Sequence, residues 1–81
     1  MRYIGIDVSK ATFVVAYSSD KGGEIRTFNN TTTGIKQFIG ALPKDSSIHC
    51  VMEATGNYSA MLLYLLNVAG IAVSMENPLK I

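Results

Sequence analysis

The sequence predicts an α/β domain: a mixed five-stranded sheet in spatial order 3-2-1-4-5 with two helices, in chain order βββαβαβ. Three observations carry this. The first part of the chain alternates apolar and polar residues between turn signals, which describes a meander of antiparallel strands. Two later segments place apolar residues at helical spacing. Each is followed or preceded by a short run of strand formers, and strand–helix–strand connections return parallel to the strand they leave.

Residues 3–8 form the first strand. Ile4, Ile6 and Val8 face one way, and Tyr3, Gly5 and Asp7 the other. Ser9, Lys10 and Ala11 turn the chain into a second strand, 12–18, dense in β-branched and aromatic residues. Asp20-Lys21-Gly22-Gly23 is a hairpin turn, since glycine adopts φ > 0 freely. The third strand, 24–29, has polar alternation and belongs nearer an edge. Thr31, Thr32 and Thr33 offer hydroxyls for a helix N-cap, and Ile35, Phe38, Ile39 and Leu42 follow on one helical face until Pro43. The fourth strand, 47–53, is apolar at nearly every position, as suits a central strand covered on both faces. Thr55, Gly56 and Asn57 lead into a second helix, 58–69, with Gly70 as its C′ residue. The fifth strand, 71–76, ends before Asn77-Pro78.

The chain is 81 residues long, 48% apolar and 16% charged, with a net charge of +1. That excludes a disordered tail, which needs low hydrophobicity and high charge. It describes a single domain over residues 1–81. A domain of this size buries about 60% of its unfolded surface and has marginal stability unless something covers it. The charge balance announces no nucleic-acid partner by itself. Cys50 is the one cysteine and His49 the one histidine, so an internal disulfide framework and zinc sites built on cysteine or histidine clusters are excluded. Asp7 stands too early for a signal peptide. The most apolar stretch, 60–73, is interrupted by Asn67 and Gly70 and is shorter than the about 20 residues that span a bilayer. The expectation is a soluble cytoplasmic protein with no membrane partner.

Chemistry is concentrated at one edge of the predicted sheet. Asp7 and Glu53 lie at the carboxyl ends of the first and fourth strands, on a common parity, where open α/β sheets bind ligands. A single acid at a strand end is ordinarily a solvated loop residue. Two side by side repel unless a cation lies between them, and magnesium prefers carboxylates, waters and phosphate oxygens. Gly5, on the face of Asp7, leaves room there. The helix N-terminus at Thr55 and Gly56 presents free N–H groups that can hold phosphate, or simply cap the helix. Lys10 can reach a phosphate or remain solvated. His49 and Cys50 read as packing residues. The second helix is apolar nearly all round, so the side away from the sheet should meet another segment or a second copy.

The element order is shared by the ribonuclease H-like nucleases and by each lobe of the actin-like ATPases, and fold alone does not choose between them. An ATPase phosphate loop wants glycine after the aspartate, and Val8-Ser9-Lys10-Ala11 is poor in it. A non-catalytic dimerisation module is the third class, which the apolar second helix would suit.

The motifs themselves point further. Tyr3-Ile4-Gly5-Ile6-Asp7-Val8-Ser9-Lys10 resembles the opening of the DEDD-type insertion-sequence transposases, which are similar to the Piv invertases. Val51-Met52-Glu53-Ala54-Thr55-Gly56-Asn57-Tyr58 and Glu76-Asn77-Pro78-Leu79-Lys80 resemble the same family. The resemblance implies an N-terminal RuvC-like domain of ribonuclease H-like fold, with four acids in the order Asp, Glu, Asp, Asp. Asp7 matches the first and Glu53 the second, as catalytic and metal-ligating residues. It also implies magnesium-dependent cleavage and joining of DNA, guided by a structured RNA of the element; a homo-oligomer is the expectation from the apolar second helix. The family's last two acids form an Asp-x-x-Asp pattern that these 81 residues do not contain. The family's C-terminal domain, with its serine proposed as nucleophile, is not among them either. The expectation is a catalytic-domain fragment, truncated before its last acidic motif and inactive alone. Its two-metal site would be complete only in the full-length protein and weak or absent here, with Lys10, Thr55 and Gly56 as candidate nucleic-acid contacts.

Overall fold

Alternation along each strand decides what the sheet covers. The computed structural model describes residues 2–17, 23–42, 48–53 and 57–76. Its elements are β1 (Arg2–Val8), β2 (Thr12–Tyr17), β3 (Glu24–Asn29), α1 (Thr32–Gly40), β4 (Ile48–Glu53), α2 (Ala60–Val68) and β5 (Ala72–Glu76). The sheet has the order β3-β2-β1-β4-β5. β1 pairs antiparallel with β2 and parallel with β4, and β4 pairs parallel with β5. This is the predicted topology, reached with the predicted elements in the predicted chain order.

One face of the sheet carries the core. Ile4, Ile6 and Val8 of β1, Phe13 and Val15 of β2, and Cys50 and Met52 of β4 are all buried there. Ile35, Phe38 and Leu42 pack on them from α1 and its C-terminus, and Leu62 and Leu66 from α2. Phe13, Phe28 and Phe38 form a triad whose ring centroids lie 5.4–5.5 Å apart, with Phe38 set edge-on to Phe13. Such contacts add to the burial of aromatic surface. Thr31 caps α1: its Oγ1 accepts the Gly34 N–H at 3.1 Å. Gly70 has φ +78° and ends α2, where the left-handed conformation favours glycine.

Two expectations change. β4 is covered on one face only: Cys50 and Met52 are buried, while His49 and Val51 are half-buried and Glu53 is exposed. Its apolar run reflects a central position in the sheet, with no second layer among the described residues. α2 is buried along one stripe, Leu62 and Leu66, and leaves Met61, Tyr64 and Val68 exposed on the side expected to meet another segment or a second copy. It also starts at Ala60 rather than residue 58, after a turn at residues 57–59. The Asp20-Lys21-Gly22 part of the hairpin turn, Pro43, Thr55, Gly56 and Asn77-Pro78 lie outside the described residues.

Candidate functional site

The site is built on the uncovered face. β1 and β4 run parallel in a register that sets Gly5 beside Val51 and Asp7 beside Glu53. Asp7 and Glu53 form the last rung of that ladder among the described residues, both exposed and both on the face away from the helices. Neighbouring strands lie about 4.8 Å apart, so the two carboxylates are direct neighbours. On the other side of β1, Asp7 faces Val14 and Gly5 faces Ala16 of β2. The result is an open depression of about 370 Å³ lined by Gly5, Ile6, Asp7, Val14, Ala16, Val51, Glu53 and Glu76. A Cβ added at Gly5 would meet nothing within 4 Å. Gly5 therefore leaves its part of the floor bare, and no packing against a neighbour demands it.

Glu76 is the last residue of β5, the edge strand of the sheet. It stands in register with Glu53 and extends the row of acids to Asp7, Glu53 and Glu76. Two strand spacings separate its backbone from that of Asp7, about 10 Å. Among the described residues no set of three or more His, Cys, Asp or Glu side chains is placed to hold a metal ion. Glu76 thus adds negative potential to the row without closing a cage. The Asp7–Glu53 pair fits magnesium by its chemistry: two hard oxygen donors on an open face, with space for the waters or phosphate oxygens that magnesium keeps.

Lys10 is exposed in the connection that follows β1, at the same end of the sheet, and does not line the depression. Thr55 and Gly56 lie outside the described residues. His49 lies on the open face, where its Nε2 shares a hydrogen bond with Ser74 Oγ and its ring sits 5.6 Å from that of Tyr3. Cys50, on the opposite face, is fully buried. Burial pushes its thiol up to about 11, which keeps it protonated and unreactive.

Sequence reasoning missed Asn30. Its backbone N–H donates to the Ala11 carbonyl at 2.8 Å. Its side-chain Nδ2 donates to the carbonyls of Ser9 at 3.0 Å and Tyr58 at 2.9 Å. One amide thus ties the turn after β1 to the turn before α2. The available signal was modest: an asparagine directly before a threonine N-cap, at the end of a strand.

Among known proteins, a family model of the IS110-type DEDD transposases, described as "Transposase", matches residues 4–81. No curated relative matches the chain. Solved structures similar to it include a Ppx/GppA family member from Aquifex aeolicus, 17% identical over 96% of this chain and 35% of that one, with a TM-score of 0.42. A type II variant structure of the Aquifex aeolicus Ppx/GppA phosphatase is 16% identical over 96% of this chain and 36% of that one, with a TM-score of 0.41. The chain spans about a third of the length of these structures, and neither bears on its function.

Proposed function

The chain belongs to the IS110-type DEDD transposases, and from that membership we propose that Asp7 and Glu53 are the first two metal-ligating acids of a domain that cleaves and joins DNA. The observation that supports this reading is the register: the two acids share one rung of β1 and β4 on the uncovered face. They would hold a divalent ion, magnesium by preference for hard oxygen donors. When bound, paired magnesium ions lower the pKa of an attacking water and stabilise the leaving oxygen of a phosphodiester. The chain's own part is to fix the first two carboxylates, to keep a bare floor at Gly5 and Ala16 for the approaching backbone, and to offer Lys10 at the rim. Thr55 and Gly56 complete the proposed nucleic-acid contacts.

The finer features of the reading follow the same family. The whole protein acts on DNA in the cytoplasm under the guidance of a structured RNA, and its apolar second helix suits a homo-oligomer. The side chains of α2 available to a second copy are Met61, Tyr64 and Val68, since Leu66 is spent on the core. The 81 residues carry no Asp-x-x-Asp, so the isolated chain supplies half of the acid set and does not cleave DNA.

The test uses the full-length parent transposase. Asp7→Asn and Glu53→Gln should each abolish strand cleavage, because charge is removed at nearly constant volume, while RNA binding persists. Cleavage at an undiminished rate by either variant would overturn the assignment.

A further inference from the structure

The acids of the site occupy the last rung of the β1–β4 ladder among the described residues, near an end of the sheet, where opening is easiest. β1 is secured beyond that rung by β2. After Asp7, β1 continues to Val8, paired with Phe13, and the Ser9 N–H and Oγ both donate to the Thr12 carbonyl at 2.9 Å. Among the described residues, the last partners of β4 are Asp7 on one side and Glu76 on the other. Asn30 reaches from one exit to the other. Its Nδ2 holds Ser9, two residues beyond Asp7, and Tyr58, five residues beyond Glu53. Its Oδ1 is buried and has no partner among the described residues. The bonds therefore run one way, with the amide donating to two carbonyls that belong to the two exits.

We propose that Asn30 is a positioning residue of the Asp7–Glu53 site, clasping the chain that leaves β4 to the turn that leaves β1 so that Glu53 stays on the rung. This rests on the reading of Asp7 and Glu53 as a metal pair, and it adds to that reading a residue outside the acid set. The clasp acts on Glu53 more than on Asp7, because β2 secures the Asp7 side independently. Asn30→Ala removes both side-chain bonds, and the two carbonyls it frees are exposed enough to take water instead. The backbone bond to Ala11 and the Thr31 cap do not depend on the side chain. Asn30→Asp keeps the shape and sets a carboxylate oxygen against both carbonyls.

The experiment is amide hydrogen exchange and Mn²⁺ titration by NMR on the chain as it stands and on Asn30→Ala, Asn30→Asp and Asp7→Asn. Mn²⁺ should broaden the Asp7 and Glu53 signals of the unchanged chain, and Asp7→Asn should lose that response. In both Asn30 variants the Met52 and Glu53 amides should exchange faster while Asp7 and the Gly34 cap hold. Mn²⁺ affinity should fall about tenfold, as for other residues that orient ligands. Unchanged exchange at Glu53, or unchanged Mn²⁺ affinity in a folded variant, would overturn the clasp. If both variants unfold, the proposal also fails, since Asn30 would then serve the fold and not the site. If the unchanged chain shows no Asp7-dependent broadening, the first two acids hold no metal ion without the rest of the acid set, and the exchange difference between Glu53 and Asp7 alone decides the clasp.

Discussion

The two faces of the sheet are made of the same strands, often of adjacent residues, and they carry opposite duties. Beneath the helices, Ile6, Val8, Phe13, Val15, Cys50 and Met52 are each no more than 3% exposed. On the other side, Tyr3 is 55% and Val14 37% exposed, and Asp7, Glu53 and Glu76 stand in the open. Glu53 and Met52 differ by one position in the chain and by the whole thickness of the sheet. A period of two thus separates stability from chemistry. Substitution on the helix-covered face should alter folding and leave the site's chemistry to follow. Substitution on the open face should do the reverse.

The strongest challenge to that division is Phe38→Ala. Phe38 is fully buried between Phe13 and Phe28, and its truncation should cost about 3–5 kcal/mol. A domain holds about 0.05–0.15 kcal/mol per residue in total, so the variant should be largely unfolded near physiological temperature in a thermal melt. A melt within a few degrees of the unchanged chain would show that the core lies elsewhere.

A smaller effect is titratable. The Cys50 thiol is raised from 9.0 to about 11 in the fold by burial. The protonated thiol is the form the fold favours, so its contribution is full below pH 9. It is lost as the pH rises from 9 to 11, because the unfolded chain ionises first. Two units correspond to about 3 kcal/mol at most. Burial also raises the Tyr17 phenol above 10.0, which steepens the loss above pH 10 in the same sense. Urea denaturation between pH 8 and 10 should show falling stability, and Cys50→Ala should flatten the slope over that interval while lowering stability at neutral pH. An equal slope in both proteins would place the alkaline sensitivity away from the core.

The least change in stability is expected on the open face. Glu53→Gln removes a charge flanked by Asp7 and Glu76 in register. Like charges facing each other across strands are destabilising. The variant should melt within about 0.5 kcal/mol of the unchanged chain, on the more stable side, while losing its response to Mn²⁺. A large loss of stability would mean that the acid row is part of what holds the sheet together.

The sequence was most legible where a short period does the work. Alternation placed Asp7 with Gly5 and Glu53 with Val51, and the strand–helix–strand order made the two strands parallel. Together these put the acids on one edge before any coordinates. The register that makes them one rung was not accessible, because pairing of distant strands is set by packing. The same applies to Glu76, whose place beside Glu53 depends on that register. Asn30 escaped because its partners Ser9 and Tyr58 lie 21 and 28 positions away. Gly34 escaped for a similar reason: a Cβ there would meet the Asn29 carbonyl oxygen at 2.1 Å, a contact between the end of β3 and α1 that no local pattern announces. The apolar run of β4 misled about coverage, since a central strand looks alike in sequence whether one or both of its sides are covered.

The β1–β4 pairing has a consequence in time. Strands β1, β2 and β3 are neighbours in sequence and in the sheet, and contacts of that kind form early. The rung of Asp7 and Glu53 joins the beginning of the chain to a strand that follows the whole meander and α1. During synthesis the first acid therefore leaves the ribosome well before its partner exists. It meets Glu53 only when the long loop between them closes, at the cost in chain entropy that such closure carries. A nascent or partly folded chain has the meander without the acid pair until β4 has docked.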